Sequence, residues 1–194
     1  MDLIFASHND HKCREIRALL PDAHVSSLKD LNFTDEIPET GTTLEANAAI
    51  KAQRIYDEFG KAVFADDTGL IVPSLNNEPG VYSARYAGEN ANAESNMAKL
   101  LANLEQQADR SAYFETVICF INAKGEQHFF RGRVDGEILM HKHGEEGFGY
   151  DPIFKPKEGN RSFAQMSSIE KNRISHRGRA LAAFIQFLQS TEKN

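Results

Sequence analysis

The chain has 194 residues, 26% of them charged and 41% hydrophobic, with 28 acidic against 22 basic side chains and a formal net charge of −6. That length buries most of the surface an unfolded chain exposes, so one compact domain over 1–194, or two closely joined lobes, is expected. The acidic balance argues against a protein that follows a nucleic-acid backbone but leaves room for a small anion in one basic pocket. No apolar run approaches the roughly 20 residues of a membrane span.

Met1-Asp2-Leu3-Ile4-Phe5 carries an acid where a secretory signal would be basic, and its apolar part is short, so a cytoplasmic protein is expected. Leu3 to Ala6 reads as a short strand. Lys12 to Leu20 sets Cys13, Ile16, Leu19 and Leu20 at helical spacing, which makes Ser7 to His11 a strand-to-helix turn. Asn9 or Asp10 can cap that helix, and an anion at the cap would meet free amides, the positive end of the helix dipole and the charge of Lys12. The turn holds no glycine and is no Walker-type loop, so an ordinary capped helix competes with the anion site.

Residues 28 to 41 read as irregular and gather Asp35, Glu36 and Glu39 ahead of Gly41. Thr42 with Glu45 three positions on matches a capping box, and the stripe Leu44, Ala48, Ile55, Phe59 stops at Gly60, a good helix terminator. Lys51 lies on that stripe and points partly inward, either snorkelling out or reaching a phosphate. Ala62 to Ala65 is a β-type run that delivers Asp66 and Asp67 towards Gly69, where a turn is expected, one carboxylate facing a ligand and the other bracing the turn. Two turn-forming aspartates would explain the pair equally well. Another short strand is expected from Gly69 to Pro73, then a loop to Gly80.

Val81 to Gly88 mixes small residues, two tyrosines and an arginine without a period. Asn92 to Leu104 is an amphipathic helix with Met97, Leu100, Leu101 and Leu104 inward, and Ser111 to Asn122 with Gln127 to Val134 reads as a hairpin. Residues 135 to 147 look loop-like, and His141 with His143 lacks a third ligand for a metal. In Gly147-Phe148-Gly149-Tyr150-Asp151-Pro152 the glycines allow close backbone approach to a flat ligand while the rings offer stacking surface; a tight turn is the plain alternative. A short helix is expected from Phe163. Ser175 can cap a final helix docked by Leu181, Phe184, Ile185 and Leu188, which fixes His176 and Arg177 in its first turn. Cys13 and Cys119 have no motif spacing and read as core thiols.

Together these stretches resemble the Ham1-like inosine/xanthosine triphosphate pyrophosphatases over nearly the whole chain. The landmarks are Ser7-x-Asn9-x-x-Lys12, Glu39-Thr40-Gly41, Asn47-Ala48-x-x-Lys51-Ala52, Phe64-Ala65-Asp66-Asp67-Thr68-Gly69-Leu70, Pro79-Gly80-Val81-Tyr82-Ser83-Ala84-Arg85-Tyr86, Gly147 to Pro152, and Ser175-His176-Arg177. Two positions depart from the common pattern: His8 stands where the family usually has glycine, and Ala46 where many members have Glu.

The resemblance implies a mixed α/β fold, an elongated sheet with flanking helices in two lobes around a nucleotide cleft, and a homodimer. It implies Asp67 as catalytic carboxylate with Lys51, and Glu39, Asp66 and Asp67 on a Mg²⁺ ion. Ser7, Asn9, Lys12 and Lys51 would hold the triphosphate, with His8, Asp10 and His11 of the same turn also among the substrate-binding residues, while Thr68, Phe148, Gly149, Tyr150, Asp151, Lys171, His176 and Arg177 would bind sugar and base or close the cleft over them. The implied reaction hydrolyses ITP, dITP or XTP to the monophosphate and pyrophosphate. A Maf-like pyrophosphatase with another base preference and a non-catalytic nucleotide-binding module are the alternatives; the Asn9 and Lys12 spacing and Ser175-His176-Arg177 disfavour the first, and the three carboxylates disfavour the second.

Overall fold

The computed structural model describes residues 2–191. It is a mixed α/β chain whose seven-stranded sheet runs β2 (His24–Ser27), β1 (Asp2–Phe5), β3 (Val63–Ile71), β5 (Ser111–Ile121), β6 (Gln127–Ile138), β7 (Phe154–Pro156), with β4 (Pro79–Gly80) paired to β3. β1 is parallel to β2 and to β3, with Ile4 opposite Val63 and Phe5 opposite Phe64. β4 and β7 are antiparallel to β3 and β6. The helices are α1 (Asp10–Leu19), α2 (Leu44–Phe59), α3 (Ala93–Asn103), α4 (Ser168–Ile174) and α5 (His176–Thr191).

The chain divides into two compact units. The first takes in the chain up to Asp67, Thr116–Gly132 and the chain from Gly178; the second takes in Thr68–Glu115 and Arg133–Arg177. In the first, strand alternation sorts the apolar residues into two cores. Phe5, Phe64, Ile118 and Phe120 pack with Cys13 and Ile16 of α1 and with Leu181, Phe184 and Leu188 of α5. Ile4, Val63, Ala65, Cys119 and Ile121 pack with Ala48, Ala52 and Ile55 of α2 and with Phe33. Strand β3 is therefore covered on both faces, which is why Val63 to Asp67 are all buried. The second unit has one core, built on Leu100 and Leu104 of α3, Phe114, Val134, Phe154 and Phe163.

Local chemistry sets most boundaries. Asn9, one of the two expected caps, accepts from the His11 and Lys12 amides, and α1 begins at Asp10, two residues earlier than the apolar spacing suggests. α2 ends at Gly60 with φ 60°. Asn92 and Ser95 form a capping box on α3. The β5–β6 turn closes as expected, with the Asn122 side chain accepting from Lys124 and Glu126 amides.

Several expectations are corrected. No turn interrupts the chain at Gly69: β3 continues through Asp66, Asp67, Thr68 and Gly69 to Ile71, held by β1 at Val63 and by β4 at Leu70 and Ile71. Ladder pairing at both ends overrides the glycine. The α2 cap is Thr43, whose hydroxyl accepts from Ala46, and Glu45 pairs with Arg131 instead of completing a box with Thr42. β6 runs on to Ile138, because Gly136 to Ile138 pair with β7, so the start of the expected 135–147 loop is strand. The helix expected from Phe163 is a 3-10 turn, Phe163–Gln165, separated from α4 by the extended Met166. β2 was not expected, since His24–Ser27 contributes one buried apolar side chain, Val25. Both cysteines are free and buried, and burial pushes the Cys119 thiol up to about 12.

Gly136 illustrates how tightly β6 meets β7. A Cβ there would lie 2.3 Å from the Lys155 carbonyl oxygen and 2.6 Å from the Phe154 ring. Gly136→Ala should therefore destabilise by about 1–3 kcal/mol through overpacking, seen as a lower denaturant midpoint at unchanged slope; an unchanged midpoint would contradict the close approach.

Candidate active site

The first unit holds a buried charge cluster built on β3. Asp66 is 2% exposed and Asp67 7%. Phe64 packs towards α1 whereas Val63 and Ala65 pack towards α2, so alternation turns Asp66 to α1 and Asp67 to α2. The ion pairs follow that division. Lys12 Nζ of α1 lies 3.1 Å from Asp66 Oδ1. Lys51 Nζ of α2 lies 2.6 Å from Glu39 Oε1 and 3.6 Å from Asp67 Oδ1. One turn earlier on α2, Asn47 donates through Nδ2 to Asp67 Oδ2 at 3.2 Å and accepts from the Gly41 amide at 2.8 Å. A Cβ on Gly41 would sit 2.6 Å from Asn47 Oδ1, so the residue beside Glu39-Thr40 must be glycine. Asn47 is not among the expected site residues; its signal in the sequence is the i, i+4 spacing to Lys51, which puts both on one face of α2.

Burial pushes the Asp67 carboxyl above its ordinary range, and the neighbouring Glu39 charge adds to this against the pull of Lys51 and Lys12 and the Asn47 hydrogen bond. Burial opposes the charge of Lys51, but Asp67, Glu39 and Asp66 outweigh it and keep the ammonium protonated to higher pH than usual. Asp67 is thus a shielded carboxylate with a proton affinity suited to base catalysis, beside a firmly held cation.

Among the described residues no three His, Cys, Asp or Glu side chains are grouped to hold a metal ion. The donor set nevertheless suits Mg²⁺, which needs one or two protein carboxylates and takes water and phosphate oxygens for the rest. Glu39 and Asp67 already converge on one cationic atom, Lys51 Nζ; Asp66 is turned to Lys12.

At the opening turn, the Asn9 amide donates to Ser7 Oγ at 3.1 Å, and Asn9 Oδ1 accepts from His11 and Lys12 at 3.0 and 3.1 Å. Two amides expected to meet an anion are therefore occupied by the cap. Asp10 is exposed, and His11 Nδ1 lies 2.9 Å from an Arg14 guanidinium nitrogen. The His8 ring stacks on Phe33, centroids 6.3 Å apart, with Nε2 3.1 Å from the Asp35 carbonyl oxygen.

The second unit assembles most of the expected sugar and base residues. Gly147 and Gly149 adopt φ 79° and 64°, and a Cβ on Gly147 would lie 2.1 Å from Asp151 Oδ2. That oxygen accepts from the Phe148 amide and from Lys171 Nζ, each at 2.8 Å. Lys171 Nζ stands 4.6 Å and Arg177 Cζ 5.4 Å from the Phe148 ring centroid, so two buried cations flank one half-buried aromatic ring. His176 stacks on Phe114 at 4.6 Å. Tyr150 does not share the ligand-stacking role open to Phe148: its ring lies in the core and its hydroxyl donates to the Ser83 carbonyl at 2.7 Å. Thr68 is half-buried on β3. His141 and His143 are exposed loop residues.

Comparison with known proteins agrees with this arrangement. The Ham1 family model matches residues 3–187. A dITP/XTP pyrophosphatase of Flavobacterium johnsoniae is 49% identical over 99% of this chain and 100% of its own length, and one of Staphylococcus aureus is 43% identical over 100% and 98%. The Staphylococcus aureus Ham1 protein structure superposes with a TM-score of 0.91 at 42% identity, covering 98% of this chain and 100% of that one. A HAM1 protein from Coxiella burnetii gives 0.91 at 38% identity over 98% and 99%. The full-length matches, and the landmark residues gathered into two built clusters, mean that this chain belongs to the Ham1 family.

Proposed function

We propose that the chain hydrolyses non-canonical purine nucleoside triphosphates, ITP, dITP and XTP, to the monophosphate and pyrophosphate. The observation that carries this reading is the convergence of Glu39 and Asp67 on Lys51 in a buried setting, in a chain similar over its whole length to proteins named dITP/XTP pyrophosphatase. Asp67 accepts a proton from the water whose oxygen bonds to the α-phosphorus, while the α-phosphorus to bridging-oxygen bond breaks and pyrophosphate leaves. Lys12 and Lys51 carry positive charge towards the leaving pyrophosphate. Glu39 and Asp67 would hold Mg²⁺, while Asp66, on the other face of β3, would hold Lys12; when bound, the ion supplies charge to the phosphate oxygens. Lys171 and Arg177 offer donors, and Phe148 a flat face, to the base. The family resemblance supports a cytoplasmic homodimer.

Asp67→Asn keeps the shape but removes the proton acceptor, so kcat should fall by roughly 10² or more, and chelation of Mg²⁺ should abolish wild-type turnover. Stability should move the other way. A carboxyl whose folded pKa is raised stabilises below its unfolded value, about 3.9, and that contribution is lost as pH rises through the folded value. The melting temperature of Asp67→Asn should therefore gain on wild type from acidic to neutral pH. Turnover within a few-fold of wild type would remove Asp67 from its role.

The scissile bond is tested by hydrolysis in ¹⁸O-labelled water. Label is expected in the monophosphate; label in pyrophosphate, or release of single phosphates, would mean attack at the β- or γ-phosphorus.

Base choice follows from donors. Hypoxanthine and xanthine present an oxygen at C6 where adenine presents an amino group, and Arg177 and protonated Lys171 can only donate. An unpaired buried donor costs about 1–3 kcal/mol, so kcat/KM for ITP and XTP should exceed that for ATP by at least ~10², about 2.7 kcal/mol. Arg177→Ala should close most of the gap by slowing ITP. Equal use of ITP and ATP by the wild type would refute donor-based selection.

A further inference from the structure

We propose that His8 is a positioning residue that straps the opening turn to the loop carrying Glu39, so that the two sides of the phosphate cluster are set relative to each other before substrate arrives. The inference deepens the pyrophosphatase reading and rests on it. His8 lies between Ser7 and Asn9, the residues whose hydrogen bonds shape the start of α1 and place Lys12. Its ring is directed to the 28–41 segment. It lies at 19° to the Phe33 ring, and because a carbonyl only accepts, Nε2 must carry the hydrogen shared with Asp35.

Phe33 and Asp35 are themselves fixed from α2. Arg54 Cζ stands 5.1 Å from the Phe33 centroid and a guanidinium nitrogen of Arg54 lies 3.7 Å from Asp35 Oδ2. Three residues earlier on α2, Lys51 holds Glu39. The loop is thus anchored to α2 by Arg54 and Lys51, and His8 joins the turn to the same anchored segment. The turn and α2 are thus both joined to the one loop, and the three carry Lys12, Lys51 and Glu39. A glycine at position 8 can supply neither the ring contact nor the hydrogen bond.

The experiment combines kinetics with exchange. His8→Ala should raise KM for ITP about fivefold, the scale of coupling between residues in contact, while kcat stays within about twofold; a variant that merely lost folded protein would lower kcat at unchanged KM. His8→Gln, which keeps an N–H donor, should recover part of the loss. Phe33→Leu should raise KM as well, and His8→Ala/Phe33→Leu should be no worse than the poorer single variant. In the ligand-free protein, NMR-detected hydrogen exchange at the Phe33 and Gly41 amides, bonded to the Leu28 carbonyl and Asn47 Oδ1, should quicken in His8→Ala. An unchanged KM, or additive effects in the double variant, overturns the strap. If the wild type does not hydrolyse ITP, the proposed function fails, and exchange alone decides: quickened amides support the strap and unchanged amides overturn it.

Discussion

Two neighbouring carboxylates inside a strand cannot share a counter-ion on one face, and burying either without one would cost several kcal/mol. Asp66 and Asp67 impose that constraint on the first unit. Lys12 must come from α1 on one side and Lys51 from α2 on the other, so the start of α1, the pitch of α2 and the strand between them are fixed together. Asn47 and Gly41 extend the arrangement by bringing the loop that ends at Glu39-Thr40-Gly41 onto the same helix face. The cluster is expensive to bury, and replacing it with apolar residues would be expected to stabilise the fold. Its presence is better explained by chemistry than by stability.

The second unit uses a buried ion pair differently. Asp151 and Lys171 neutralise each other, and the same carboxylate fixes the Phe148 amide across two left-handed glycines. The pair therefore locks a loop conformation and presents Phe148 with cations against it, while Tyr150 is drawn into the core. Alternating glycine and aromatic residues offered two rings for one face; the fold separates them, leaving Phe148 half-buried beside Lys171 and Arg177 and packing Tyr150 in the core.

Residue chemistry made the helix signals legible. Asn9 as a cap, Gly60 as a stop, the Asn92 start of α3 and the Asn122 turn all depend on contacts within a few residues, which a sequence displays directly. The Lys51 stripe position also showed its inward direction. What could not be read were features decided by distant partners: β3 continuing past Gly69 because β1 and β4 hold it, β6 lengthening because β7 pairs with it, and β2 forming from a polar segment beside β1. The α2 cap falls on Thr43 and not Thr42, and Glu45 pairs with Arg131, 86 residues away. For the site, the carboxylates and lysines were readable as residues, but which lysine serves which aspartate needed the faces of the sheet.

The alternation along β3 also limits how such a chain can change in length. Inserting or deleting one residue between Val63 and Asp66 would exchange the faces of the two aspartates, presenting the first to α2 and the second to α1. A change of two would restore the faces but slide both carboxylates along the strand by about 6.6 Å, beyond the reach of either lysine. Length variation in this protein should therefore be tolerated in the 76–78 and 122–125 turns and be absent from the strand leading to its carboxylates, which acts as a frame that cannot shift phase.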